Sequence, residues 1–307
     1  MSASLSVLVP IPVVGSVLAS SNVAEADYAP WAVGTTYAKD ARCISVATHR
    51  IYQSAVAGNI GHDPTDIASR TGTTVYWIDV GPTNRHAMFD GEVSTQTSVA
   101  TSLTVALRPG ALNSIYAAGI DAETYSVAVT DGPGGTSVFA VSGELESSAP
   151  ADYYEHFFDR FLPQTDLLVT GIPPYIGGEV VVTFSKIAGT VKCGVLAIGD
   201  LRPLGSTQFG AKAKPKTYSY IKTDELGNNS IKRRKSARDM SASARIPIRE
   251  ASSVLDTITE LLDVPAVWVG TDLADYTGLR CYGLGSGELS YENAVEALLT
   301  LNVQGMI

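Results

Sequence analysis

The first residues to weigh for chemistry are the histidines and the acids beside them, because a carboxylate next to an imidazole can move a proton or hold a metal ion. The chain has 307 residues and four histidines. His62-Asp63 and His156-x-x-Asp159 have the right types for half of a metal or acid/base site, but neither has a third partner close in sequence. Both read as solvated loop residues. The motifs of hydrolysis and nucleotide chemistry are missing: no Gly-x-Ser-x-Gly, no His-Glu-x-x-His, no Gly-x-x-x-x-Gly-Lys-Ser/Thr and no calcium loop of the usual spacing. Gly283-Leu284-Gly285-Ser286-Gly287 is rich in glycine, yet no helix follows it, so it reads as a hairpin turn and not a phosphate cradle. Cys43, Cys193 and Cys281 are far apart and form no Cys-x-x-Cys pair, which predicts buried thiols and neither a zinc ribbon nor a disulfide framework. No catalytic residue, metal ligand or cofactor is expected. The function is read as binding or assembly.

Charge is the next guide. The chain carries −9 overall, but eleven of its 22 basic residues fall between Lys212 and Arg249 with only three acids among them. An acidic chain makes nucleic acid a poor partner, while a basic stretch within it can meet an acidic neighbour. Lys232-Arg233-Arg234-Lys235 is the densest run. It lacks interleaved aromatics in sequence, so it reads as a strand edge charged against wrong pairing or as one side of a subunit contact.

The elements that would position these residues are mostly strands. Leu5 to Val9 and Val13 to Leu18 read as two short strands split by Pro10 and Pro12: an ordinary first strand or hairpin, or an arm exchanged between subunits. No basic residue precedes them and no stretch approaches the roughly 20 apolar residues of a spanning helix, so a soluble, unprocessed chain is expected. From Trp31 to Gly91, aromatic residues close short runs of alternating polarity, with Arg42–Val46, His49–Ala55 and Thr73–Ile78 read as three strands. From Val93 to about Arg202, segments rich in Val, Ile, Thr and Tyr alternate with turns such as Asp131-Gly132-Pro133-Gly134-Gly135, which predicts a β-sandwich, jelly-roll-like. Tyr153 to Phe161 is the densest aromatic cluster and reads as a connection plugging one end of that sandwich. Lys216–Lys222 and Ser230–Lys235 read as a hairpin with a polar tip. Ser252 to Leu262 is the one clear helix, with Val254, Leu255, Ile258, Leu261 and Leu262 at helical spacing and Ser252 or Ser253 as cap. The fold class is mainly β. The boundaries are 1–26 for an apolar arm or strands, 27–84 for the small module, 85–205 for the β-sandwich and 206–307 for an α+β assembly domain with one helix.

The order Trp-x-x-Gly-x-x-Tyr, Ile-Tyr-x-x-x-x-x-Gly, Pro and Trp over residues 29 to 80 resembles small chitin-binding-type carbohydrate modules. That resemblance implies Trp31, Tyr37, Tyr52 and Trp77 as residues whose ring faces stack on sugars; as plain sequence, the same aromatics read more readily as the core of so small a sheet. It departs at Asp40-Ala41, where the family has Gly-Asp, and at Cys43, where an aliphatic residue is usual. The following Gly81-Pro82-Thr83-Asn84-Arg85-His86-Ala87-Met88-Phe89-Asp90 is similar to a segment of structural proteins of tailed bacteriophages, with His86 where those have an aromatic. The likeness continues through Pro173-Pro174-Tyr175 and Cys193 to Gly199. It implies a virion protein of the tail, made in the bacterial host cytoplasm, with other tail subunits and its own copies as partners and a host-surface glycan as a further one. Arg85, between Asp79 and Asp90, is expected to pin the linker by a charged pair. A glycan hydrolase with an accessory module is the alternative ranked last, since it needs two carboxylates facing across a groove.

Overall fold

The computed structural model describes residues 4–145, 163–223, 227–291 and 293–306. The aromatic cluster from Tyr153 to Phe161, with His156 and Asp159, lies outside the described residues. The fold is mainly β and its sheets divide the chain differently from its sequence order. A three-stranded sheet holds β3 (Arg42–Ser45), β4 (Arg50–Ser54) and β5 (Trp77–Pro82), all antiparallel. The five-residue helix α1 (Ile67–Thr71), capped by the Asp66 carboxylate, sits in the loop between β4 and β5.

A five-stranded sheet runs β2–β6–β11–β8–β9, built from Leu18–Ser21, Thr97–Leu107, Glu179–Cys193, Thr124–Thr130 and Ser137–Glu144 in that order. Alternation sets its inner face: Val180, Val182 and Phe184 of β11 point inward with Leu103, Val105 and Leu107 of β6. Against them pack Ile115 and Ala117 of β7 (Ser114–Ala118), Leu167 and Val169 of β10 (Asp166–Val169), and Leu196 and Ile198 of β12 (Val195–Thr207). That pair of layers is the expected sandwich. Its second layer, however, is one wing of a nine-stranded sheet that continues past residue 205 into the C-terminal third.

The nine-stranded sheet runs β10–β7–β12–β1–β17–β18–β19–β16–β13, with a further pairing of β12 to β16. Its remaining members are β1 (Ser4–Pro10), β13 (Lys212–Thr217), β16 (Ser236–Pro247), β17 (Ala266–Val269), β18 (Arg280–Ser290) and β19 (Glu296–Gly305). The β12–β16 contact closes β12, β1, β17, β18, β19 and β16 into a six-stranded barrel, which removes the free edges that six open strands would leave. Helix α2 (Ile248–Glu260) packs on β16, β18 and β19 and turns Val254 and Ile258 into the barrel core beside Trp268, Leu299 and Leu301. The helix starts four residues before the expected Ser252: Pro247, with φ fixed at −58°, ends the strand, Glu250 lies in the first turn, and no side chain caps the start.

Two further differences follow from packing. The N-terminal apolar run is not free for exchange: β1 lies between β12 and β17 in the middle of the sheet. Leu5 and Val7 face the barrel core while Leu8 joins a second cluster with Tyr116, Val267 and Tyr282, so the strand is apolar on both faces because both are covered. The glycine run at 283–287 is no turn but the middle of β18, where a Cβ on Gly285 would lie 2.2 Å from the Trp268 ring. Trp268 lies across the strand, and its indole N–H donates to the Gly283 carbonyl at 3.2 Å.

Candidate functional site

The small module has room for one layer of large side chains, and they are used as its core. Tyr37, Tyr52 and Trp77 are 8%, 1% and 1% exposed. Trp77 meets the edge of Tyr37 at 5.0 Å and donates its indole N–H to the His62 carbonyl at 2.8 Å. The Tyr37 hydroxyl accepts from the Ala32 N–H at 2.9 Å, and the Tyr52 hydroxyl meets Thr48 Oγ1 at 3.2 Å. No ring face of these three is open to a sugar, which corrects the stacking role implied for them. Trp31 alone remains half-buried against the rim of the cluster. Cys43 lies in the same core, its thiol pushed up to about 11 by burial and then by Asp63. His62 stacks on Tyr76 at 3.4 Å and Asp63 accepts from the Thr65 N–H at 2.8 Å, so both serve the local loop.

Where the module meets the sandwich, three elements bring together side chains that sequence spacing keeps apart. Glu25 follows β2, His49 occupies the β3–β4 turn with φ +55°, and His86 precedes the short 3-10 turn Ala87–Phe89. His49 Nδ1 lies 2.9 and 3.1 Å from the two Glu25 oxygens, and Thr83 Oγ1 donates to Glu25 Oε1 at 3.0 Å. His86 Nδ1 is 3.3 Å from Thr83 Oγ1 and 3.8 Å from Glu25 Oε1. The two imidazoles stack at 3.8 Å between centroids and 17° between planes. Burial, then His49, then the more weakly acting Arg85 lower the His86 pKa to about 4, against the pull of Glu25.

Glu25, His49 and His86 are, among the described residues, the group of ligating side chains close enough to share an ion. The ring geometry does not suit one. An imidazole binds a metal in its own plane, and two planes stacked almost in parallel cannot both aim a nitrogen at one point. Thr83 between Glu25 and His86 looks like a nucleophile beside its base, but it is fully buried. As placed, the cluster is a junction between chain segments, in which one carboxylate faces two imidazoles and the Thr83 hydroxyl. Nothing in the spacing of the sequence marks it, because the three side chains lie far apart along the chain.

Arg85 does not make the expected pair. Asp79 is taken by Arg50 at 2.7 Å across β4 and β5, and Arg85 Nε is buried without a hydrogen-bond partner. The linker is held instead by Asn84, whose Nδ2 donates to the Ser98 carbonyl at 2.9 Å while its Oδ1 accepts from the Ser98 N–H at 2.8 Å.

The basic stretch forms the second feature. β13 and β16 continue beyond the barrel as β14 (Tyr220–Thr223) and β15 (Asn229–Lys232), a two-stranded arm in which every residue of both strands is exposed. Lys232 closes β15 opposite Tyr220, and Arg233, Arg234 and Lys235 follow it, all exposed. An aromatic missing from the run itself comes from the facing strand, where Arg234 lies over the Tyr220 ring at 5.1 Å; within the stretch that leads into that strand, Lys216 lies over Tyr218, two residues on, at 5.2 Å. At the base of the arm, Lys212, Lys214 and Lys216 line a groove of about 580 Å³ with Asp239, Asn302 and Gln304. Near the opposite end of β13, Phe209 is fully exposed beside Leu273 and Tyr276.

No protein-family model, curated protein or solved structure matches the chain.

Proposed function

We propose that this chain is a non-enzymatic structural protein of a bacteriophage virion, part of the tail or adsorption apparatus, which works through contacts between subunits. The observation that carries the reading is the β14–β15 arm. A two-stranded ribbon alone in water is marginal at best, and this one keeps Ile221 and Ile231 each 65% exposed. A ribbon of that kind is built to be covered by something outside its own fold. Away from it, near the opposite end of β13, the exposed Phe209, Leu273 and Tyr276 add a separate apolar surface. The resemblance of residues 81–90 to tail-associated proteins supplies the class of particle. Reading the small module as a host-glycan receptor narrows to Trp31, the one implied stacking residue that is not buried.

Mass spectrometry of gradient-purified phage particles from a lysate in which the chain is made tests the proposal. Peptides of this chain are expected in the particle band at a fixed ratio to other virion proteins. Recovery only at the top of the gradient, as free protein, would remove the structural role.

A further inference from the structure

The two faces of the arm differ in chemistry. Ile221 and Ile231 are opposite each other and share one face, while Tyr220, Lys222 and Lys232 lie on the other, with Arg234 over the Tyr220 ring. That second face begins well before the arm. Every second residue from 212 to 222 is Lys, Lys, Lys, Tyr, Tyr and Lys, and alternate residues of a strand share a face. The contacts agree: Lys212, Lys214 and Lys216 line one groove at the base, and Lys216 reaches on to Tyr218. The alternation survives the junction of β13 and β14, because the extra residue there lies on the returning strand. Between the pairs Thr217–Ser236 and Tyr220–Lys232, residues 218 and 219 stand on the way out and residues 233 to 235 on the way back.

Rings and charges thus run along one line. Guarding an edge strand against wrong pairing explains the lysines of β13, but not why the same face goes on as two tyrosines and Lys222. The chain as a whole is acidic, yet residues 212–235 hold eight basic side chains against two acids, Asp224 and Glu225. Lys212, Lys214, Lys222 and Lys232 have no ion-pair partner among the described residues. Asp239, the acid that lines the groove, accepts from the Gly305 N–H at 3.0 Å. The arm reaches roughly 20 Å beyond β13, against a screening length of about 8 Å, so acids on the body weaken its field little.

Same-face neighbours on a strand stand about 7 Å apart, so the line offers a cation or a ring at each such step. A ligand that fits is extended, carries negative charge at regular intervals and exposes flat groups beside it. An acidic protein surface supplies the charge without the flat groups, and a nucleic-acid duplex keeps its bases in the stack. A single strand supplies both, its phosphates tracking cations while its bases stack on aromatic rings and guanidinium planes.

We propose that the face of the arm opposite Ile221 and Ile231, together with the groove at its base, binds single-stranded nucleic acid. The phosphates pair with Lys212, Lys214, Lys216, Lys222 and Lys232, and the bases stack on Tyr218 and on Tyr220, which is 48% exposed beside Arg234. Stacking accepts every base, so little sequence preference is expected. The site does not depend on the virion reading, and either stands without the other.

Fluorescence anisotropy of labelled oligo(dT) and oligo(U) with the intact chain tests this, with a labelled duplex, heparin and polyglutamate as further arms. Single strands are expected to bind more tightly than the duplex or than either polymer without bases; a preference between oligo(dT) and oligo(U) tells DNA from RNA, and both support the site. With six cations engaged, the logarithm of the affinity should fall against that of the salt concentration with a slope of about −4. Lys222→Glu with Lys232→Glu should weaken binding about tenfold or more and flatten that slope. Tyr220→Ala should weaken single-strand binding about fivefold or more and leave heparin and polyglutamate unaffected. Ile221→Ser with Ile231→Ser, on the opposite face, should change neither, and circular dichroism checks that each variant is folded. Failure of both single strands to bind at low salt overturns the proposal. Binding that the duplex, heparin or polyglutamate equals, or that ignores Tyr220→Ala, also overturns it and leaves a general polyanion surface.

Discussion

Lowering the pH should loosen the junction between the small module and the sandwich, and His86 sets the size of the effect. Its side chain is 14% exposed, and its pKa in the folded protein is lowered from 6.5 to about 4. A histidine whose folded pKa is depressed stays neutral in the native state while the unfolded chain takes up the proton. Its contribution to stability is therefore complete above pH 6.5 and is lost as the pH falls from 6.5 through 4. At about 1.4 kcal/mol per pH unit the full loss is about 3 kcal/mol, of which about 2 kcal/mol is gone by pH 5. The cost has a structural origin: His86 is buried and stacked on His49, and the Glu25 carboxylate beside it is already engaged by His49 at 2.9 Å and by Thr83 at 3.0 Å, so a proton on His86 finds little compensation. The perturbation is His86→Phe, which keeps a flat ring and removes the titration. Urea unfolding followed by circular dichroism at pH 7.5, 6, 5 and 4 gives the free energy for each protein. Wild type should lose roughly 2–3 kcal/mol more than the variant over that range. Parallel pH profiles for the two would refute the reasoning.

Two further outcomes follow from packing. Trp77→Ala empties the centre of the three-stranded module and should cost about 3–5 kcal/mol in unfolding free energy, whereas Trp31→Ala, at the rim, should cost far less; equal losses in denaturant titrations would contradict the core described for Tyr37, Tyr52 and Trp77. Gly285→Ala drives a methyl group into the Trp268 ring and should lower stability by about 1–3 kcal/mol, seen as a lower melting temperature; an unchanged melting temperature would mean that Trp268 does not cross β18 as described.

Much of the fold was legible because its signals are local. The alternation Val180, Val182, Phe184 marks β11, and the turn at 131–135 forms as its composition requires, with Asp131 accepting from the Thr136 N–H at 2.8 Å. The hairpin around 216–235 and the spacing of Val254 and Ile258 were equally plain. Other features depend on what lies opposite. Nothing in Leu5 to Val9 says that β12 and β17 flank it, and nothing in Gly283 to Gly287 says that an indole from another strand fills the missing side chains. Aromatic spacing gives the type of module but not which way each ring turns, so buried core and sugar platform share one pattern. The cluster at the junction joins Glu25, His49 and His86 across long sequence separations, and only folding brings it together. The tyrosine under Arg234 was hidden for a similar reason, since Tyr220 reaches it across the arm.

The claim beneath these readings is that the protein acts as a part held among other parts. The copy number of the chain in purified particles, measured by quantitative mass spectrometry against a labelled standard, tests it most directly. A constant number of copies per particle is expected, unchanged through repeated gradient purification and through a salt wash that strips loosely bound protein. A copy number that falls toward zero with each round would contradict it.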